Sequence, residues 1–170
     1  MTNNNPIGLF DSGIGGTSIW SAIHDLLPNE DSIYLADSKN APYGQKSKEE
    51  IIHLSCKNTE FLLELNCKII VVACNTASTV VLPALRAKLH IPVVGVVPAI
   101  KPAALLSKSK RIGLLATPGT VKRHYTHELI SQFADDKDKQ LIKSIGQLQN
   151  GKTTHYYSYG NFNLVRLLIH

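Results

Sequence analysis

Residues 68–78 read KIIVVACNTAS, an unbroken aliphatic run that stops at Cys74 and gives way to Asn75, Thr76 and Ser78. A run this short and this rich in β-branched residues predicts a strand covered on both faces. The polar set behind it predicts a strand-to-helix turn, because short Asn, Thr and Ser side chains cap helix amino termini. The stretch therefore reads as one strand and the start of one helix in a parallel sheet.

Four more runs of the same kind accompany it: IGLF at 7–10, SIYLA at 32–36, IPVVGVV at 91–97 and RIGLLA at 111–116. The segments between them carry helix signals. Ser47 with Glu50 forms a capping box ahead of the apolar positions Ile51, Leu54, Phe61, Leu62 and Leu65. Strands alternating with helices predict an α/β fold with a doubly wound, mainly parallel sheet.

Composition narrows the function classes. The 170 residues, 44% of them hydrophobic, suffice for one ordinary domain, or one plus an incomplete second. The amino terminus, MTNNNPIGLFDSG, has no leader pattern, and no stretch approaches the ~18 apolar residues of a membrane span. A cytosolic chain without a membrane partner is expected. Cys56, Cys67 and Cys74 are odd in number and lack C-x-x-C pairing, so reduced thiols are expected, with neither disulfide nor metal. The net charge of +5 comes from Lys and Arg interspersed with Glu and Asp, which reads as a solvated surface rather than a nucleic-acid footprint.

In doubly wound sheets ligands sit beyond the carboxyl ends of the strands. There the sequence places Asp11 and Ser12, Asp37 and Ser38, then Cys74, Asn75 and Thr76, and after the fifth strand Thr117, Gly119 and Thr120. Each alone is an ordinary helix cap; together they predict a site on one rim. DSGIGG matches a dinucleotide fingerprint only in part, since Gly13 and Gly15 fit but position 18 is Ser18. Its general meaning is a glycine turn offering N–H groups to an anion at a helix start, a carboxylate as readily as a phosphate. A free cysteine ending a core strand is usually a small buried hydrophobe, the reading kept for Cys56 and Cys67. For Cys74 a second reading stands beside it: the following helix dipole lowers the thiol pKa and supplies thiolate.

Five blocks, IGLFDSGIGG at 7–16, YLADSKNAPYGQKS at 34–47, VVACNTAS at 71–78, IPVVGVVPAIKPA at 91–103 and IGLLATPGTVK at 112–122, resemble in order and spacing the glutamate racemase family of the aspartate/glutamate racemase superfamily. The resemblance covers residues 6–134. It implies a cofactor-independent isomerase that interconverts L- and D-glutamate and supplies D-glutamate for peptidoglycan. By similarity Asp11, Ser12, Tyr43, Gly44, Asn75 and Thr76 hold the substrate, with Thr117 and Thr120 close by. Cys74 is one of two catalytic cysteines, and Asp11 assists its protonation state. Inverting a stereocentre needs a base on one face and an acid on the other, roles that a thiolate and a thiol exchange with direction. Glutamate is the expected partner, without nucleic acid or metal, and a homodimer is left open.

The chain departs from the family in one respect. The family's second cysteine stands in a Cys-Thr-His motif of a second α/β domain; this sequence contains no such motif, and neither Cys56 nor Cys67 matches it. The expected organisation is a first α/β domain at 1–97 carrying Cys74, the start of a second, incomplete one at 98–134, and a tail at 135–170 that does not match the family. A frameshift or truncation after about residue 134 accounts for this, and implies an impaired or inactive racemase. Other readings compete. The chain could be a non-catalytic glutamate-binding remnant or another single-cysteine member of the superfamily. GQLQNGKT at 146–153 satisfies a phosphate-loop expression through Gly146, Gly151, Lys152 and Thr153, but THYYSYGNFN behind it discourages the helix such a loop needs. His155, Tyr156, Tyr157 and Tyr159 could stack on single-stranded nucleic acid, or be a poorly ordered end.

Overall fold

The computed structural model describes residues 4–107, 112–114, 116 and 118–134, and the backbone of three later strands at 141–143, 147–149 and 152–154. The chain divides into two compact units, one ending at Val97 and one beginning at Pro98. Among the described residues no helix is long and apolar enough to cross a membrane.

The first unit is built on β1 (Ile7–Asp11), α1 (Thr17–Leu26), β2 (Ser32–Ala36), α2 (Lys48–Glu64), β3 (Ile69–Val72), α3 (Asn75–Lys88) and β4 (Val93–Gly95). Its four strands lie in the order β2-β1-β3-β4. All three pairings are parallel: Ile7 stands opposite both Ser32 and Ile69, and Ile70 opposite Val93. Successive side chains of a strand point to opposite faces, and the core divides accordingly. Phe10, Ile70 and Val72 pack with Ile51 and Leu62 of α2 and Val81 and Leu85 of α3. Ile7, Leu9 and Val71 face the other way, against Ile19 and Ile23 of α1. The central strands β1 and β3 are thus covered on both faces, which is why their sequences run apolar without alternation. The edge strands are less so: β2 has no buried residue, and Val94 of β4 is exposed.

Helix α2 starts where the sequence places it. The Ser47 side chain accepts the Glu50 amide at 3.1 Å, and the Glu50 carboxylate accepts the Ser47 amide at 2.9 Å. Its buried stripe, however, is Ile51, Ser55, Asn58, Thr59 and Leu62. Phe61 and Leu65, expected in the core, are exposed. The 3.6-residue period that buries Ile51 and Leu62 sets Phe61 about 100° off Leu62, Leu65 is the C-cap past the last helical residue, and polar residues take the remaining inward places.

The second unit contains α4 (Ile100–Leu106), β5 (Ile112–Leu114), α5 (Pro118–Lys122), α6 (His124–Ala134) and β6 (Leu141–Lys143). A small core joins Ile100, Ala104, Ile112, Leu114 and Val121. Strand β6 pairs in parallel with β5, Ile112 opposite Leu141, so the chain makes a strand-helix-strand crossover. This extends into the stretch after Asp135, where the sequence shows no such pattern; a three-residue strand leaves too little apolar signal to read. Strand β5 belongs to this separate sheet. The five predicted strands therefore do not lie in one sheet.

Gly16 ends the loop between β1 and α1 with φ −70°, which any residue adopts; what demands glycine is space. A Cβ there would lie 2.8 Å from both the Ala73 Cβ and the Tyr34 hydroxyl. Gly16→Ala is expected to push α1 away from the end of β3 and cost about 1–3 kcal/mol, while Ser47→Ala costs about 1 kcal/mol through the lost cap. Urea unfolding of the two variants checks both values, with Gly16→Ala the larger.

Candidate active site

The strand order reverses at one place. From β1 the chain goes to β2 on one side, then crosses back to β3 on the other, so the connections leaving β1 and β3 diverge and open a crevice at their carboxyl ends. The Ala73 amide donates to the Phe10 carbonyl at 2.8 Å and holds those two ends together. Asp11 and Ser12 follow on one side, Cys74, Asn75 and Thr76 on the other. Topology alone thus gathers five of the sequence-predicted residues.

The Asp11 carboxylate is turned into its own loop. Oδ1 accepts the Ser12 amide at 2.7 Å and Oδ2 accepts the Gly16 amide at 2.9 Å. The anion expected at this glycine turn is therefore Asp11 itself, which occupies N–H groups that a bound ligand would otherwise use. The Ser12 hydroxyl donates to Oδ1 at 3.4 Å. The Tyr34 hydroxyl closes the loop from the far side by donating to the Gly13 carbonyl at 3.0 Å. Burial, and the Asp11 charge after it, push this phenol up to about 12.

Cys74 is the N-cap of α3, and its sulfur accepts the Ala77 amide at 3.4 Å. The thiol donates towards the Ser12 hydroxyl, Sγ to Oγ 3.6 Å. These contacts and the helix start favour thiolate, as the sequence suggests, but they do not win. With the residue only 5% exposed, burial raises the thiol pKa above its ordinary value, and the Asp11 charge adds to the rise. Thr76 is buried and Asn75 is exposed. Ser78, the last member of the polar set, donates to the Val72 carbonyl at 2.9 Å and so fastens α3 to the end of β3.

Tyr43 and Gly44 lie in a 3-10 turn at Tyr43–Gln45. Tyr43 is 1% exposed and belongs to the same core cluster as Cys74. Its hydroxyl donates to Asp37 Oδ2 at 2.5 Å and accepts from the Asn58 side chain at 3.1 Å. The phenol is engaged inside the protein and its pKa is raised by burial and by Asp37, so it serves as a post beneath the turn. Gly44 stays partly exposed above it. Asn40 completes the ring around Asp37 at 2.8 Å, and the Asp37 amide donates to the Asp11 carbonyl at 2.9 Å. The sequence reading assigned no role to Asn58. Its signal was a polar residue three and four positions from Ser55 and Leu62, on the buried stripe of α2.

The remaining candidates belong to other elements. Thr117 lies outside the described residues. Thr120 stands on α5 in the second unit, buried, its carbonyl accepting the Thr126 hydroxyl at 2.6 Å. Cys56 lies on α2 and packs against the main core. Cys67 is buried beside Gly8, whose absent Cβ would come within 2.8 Å of its sulfur. Lys152 and Thr153 form a strand antiparallel to Gln147–Gln149 where a phosphate loop requires a helix start; Gly146 and Gly151 lie outside the described residues, as does the aromatic cluster at 155–159.

Comparison with known proteins agrees with this geometry. The family model for Asp/Glu/Hydantoin racemase matches residues 15–154, twenty residues past the reach of the sequence blocks. A glutamate racemase of Shewanella oneidensis is 66% identical over 138 residues, 81% of this chain and 50% of its own length. One of Shewanella baltica is 64% identical over 139. Among solved structures, Escherichia coli glutamate racemase, in complex with L-glutamate and the activator UDP-MurNAc-Ala, superposes with a TM-score of 0.77 at 51% identity, over 82% of this chain and 53% of that one. The Aquifex pyrophilus enzyme gives 0.74 at 38%, over 82% and 54%. The chain spans about half the length of the curated relatives it matches. By sequence and fold, it belongs to the Asp/Glu/Hydantoin racemase family.

Proposed function

We propose that this chain carries one half of a glutamate racemase site, with Cys74 exchanging the α-proton of glutamate from one face. The observation that carries the proposal is a thiol at the switch point of a parallel sheet, capping α3 and bridged through Ser12 to Asp11. The exposed Asn75, the partly exposed Ser12 and the backbone of the partly exposed Gly44 are the groups we assign to the substrate, together with Asp11 and Thr76. Polar groups preorganised on this rim stabilise the charge that develops on the α-carboxylate when the proton leaves. No metal or organic cofactor is needed for that step, because a thiolate within reach of the α-carbon is base enough in a dry site. The relatives' name supports glutamate as substrate, and peptidoglycan precursors as the use of the D-enantiomer. Three free thiols fit a reducing, cytosolic setting.

Inversion also needs a donor on the opposite face, and neither remaining cysteine can provide it within this unit. Cys67 precedes β3 and Cys74 follows it, which separates them by about 20 Å along an extended strand at ~3.3 Å per residue. Cys56 is partly buried on α2. The 170-residue chain is therefore expected to exchange the α-proton of one enantiomer, D-glutamate by analogy with the family, without forming the other.

Proton NMR in D2O with D- and L-glutamate separately tests this: Cys74-dependent loss of one α-proton signal without inversion supports it. Exchange that persists in Cys74→Ala overturns the role of Cys74, and full inversion overturns the half-site. Because burial raises the thiol pKa, the thiolate fraction climbs through neutrality, so the exchange rate should rise steadily between about pH 6.5 and 8.5. A flat profile over that range would exclude a buried thiol as the base.

A further inference from the structure

We infer that Asp11 acts on Cys74 through the Ser12 hydroxyl, a rotor that accepts a hydrogen bond from the protonated thiol and donates one to the thiolate. Ser12 is then a positioning residue for the acid/base group, beyond any contact it makes with substrate. The inference rests on the proposed role of Cys74 and deepens it.

Both Asp11 oxygens are held by amides of their own loop, at 2.7 and 2.9 Å. The group that spans from Oδ1 to sulfur is the Ser12 Oγ, 3.4 Å from the carboxylate and 3.6 Å from Sγ. A hydroxyl carries one proton and accepts through its lone pairs, so its single O–H can point to only one of these neighbours at a time. With Cys74 protonated, S–H points to Oγ and O–H points to Oδ1, satisfying all three atoms. With Cys74 ionised, O–H turns to sulfur and joins the Ala77 amide, which lies 3.4 Å from it.

The proton inventory closes. When thiolate takes the α-proton, the C–H bond breaks, its electron pair stays on the carbon framework, an S–H bond forms, and the Ser12 O–H swings from sulfur to Asp11. The reverse step breaks S–H and returns the O–H to sulfur. Ser12 never gives up its proton, and Asp11 stays a fixed acceptor.

The titratable groups that face the thiol are Asp11 beyond β1, Tyr34 on β2 and Tyr43 in the 3-10 turn. Burial keeps both phenols protonated at neutral pH. Asp11 is the charged neighbour, and it opposes thiolate. The rotor lets a buried thiol beside a carboxylate hold either state, since each state has a partner waiting.

The test follows the Cys74 13Cβ chemical shift against pH in the full chain, so it requires no turnover and no reagent access to a buried sulfur. Ser12→Ala should raise the Cys74 midpoint by about half a pH unit or more, through loss of the donor to thiolate, and Asp11→Asn should lower it. Ser12→Thr and Ser12→Val provide a pair of equal shape that differs in the hydroxyl. The Thr variant should titrate as the wild type and the Val variant as Ser12→Ala. Identical midpoints for Thr and Val, or an unmoved midpoint in Ser12→Ala, would overturn the inference. Because the readout is the thiol itself, it can fail while proton exchange with glutamate succeeds, or hold while exchange fails.

Discussion

The hydrogen bonds from the Ser12 and Gly16 amides to the Asp11 carboxylate fix the start of α1, and most of the site depends on them. Four amides at a helix start lack partners within the helix, and an anion there is stabilised by the dipole as well. In this chain the anion is covalent and resident. Its presence explains why the loop ends in Gly16: with the carboxylate drawn back over the turn, the Gly16 Cα is pressed among Ala73, Tyr34 and Asp11 itself, and no side chain fits. It also explains why Ser12 is aimed at Cys74, because the residue after Asp11 leaves the strand while its amide is tied back to the carboxylate.

At Cys74 two opposing effects meet, and their sizes decide the outcome. A helix terminus contributes about 0.3–1 kcal/mol to a nearby charge, and the Ala77 amide adds one charge-assisted hydrogen bond. Taking a thiolate out of water costs several kcal/mol unless it is fully partnered. Burial therefore prevails, and the thiol rests protonated. A resting thiol suits a residue that must serve as acid in one direction and base in the other, provided each state is solvated by the protein when it forms. The surroundings of Cys74 fit that requirement better than those of a permanently activated nucleophile.

The strands of the first sheet and the polar residues at the ends of β1 and β3 were legible in the sequence because each rests on a local signal. Parallel central strands are buried on both faces, so IGLF and KIIVVA announce themselves without alternation, and the capping box of α2 is a four-residue pattern, Ser47 to Glu50, whose two hydrogen bonds the fold reproduces. Residues that depend on the third dimension were not legible. Tyr43 belongs to a motif that resembles a substrate loop, yet its phenol is directed inward by Asp37 and Asn58, which come from the end of β2 and the middle of α2. Phe61 looks like a core residue until the register of the whole helix is fixed by Ile51 and Leu62, and Leu65 until the helix is seen to end at Glu64. Strand β6 is too short to carry a pattern, and its existence is decided by pairing with β5. The balance of burial against dipole at Cys74 likewise needs the packed structure, since both terms follow from the same few residues.

The two posts of the site, the Asp11 loop and the Asp37–Tyr43–Asn58 network, are joined by the hydrogen bond from the Asp37 amide to the Asp11 carbonyl. Each uses a carboxylate to bind groups of the protein, and each supports a turn whose outer surface stays polar and partly open, Ser12 in one case and Gly44 in the other. That division of labour has a chemical reason. Free acidic side chains on a rim repel an approaching anion, and here both carboxylates are engaged by groups of the protein. The groups left near the crevice are then hydroxyls, amides and one thiol, neutral at rest, a lining that repels an anion less than free carboxylates would.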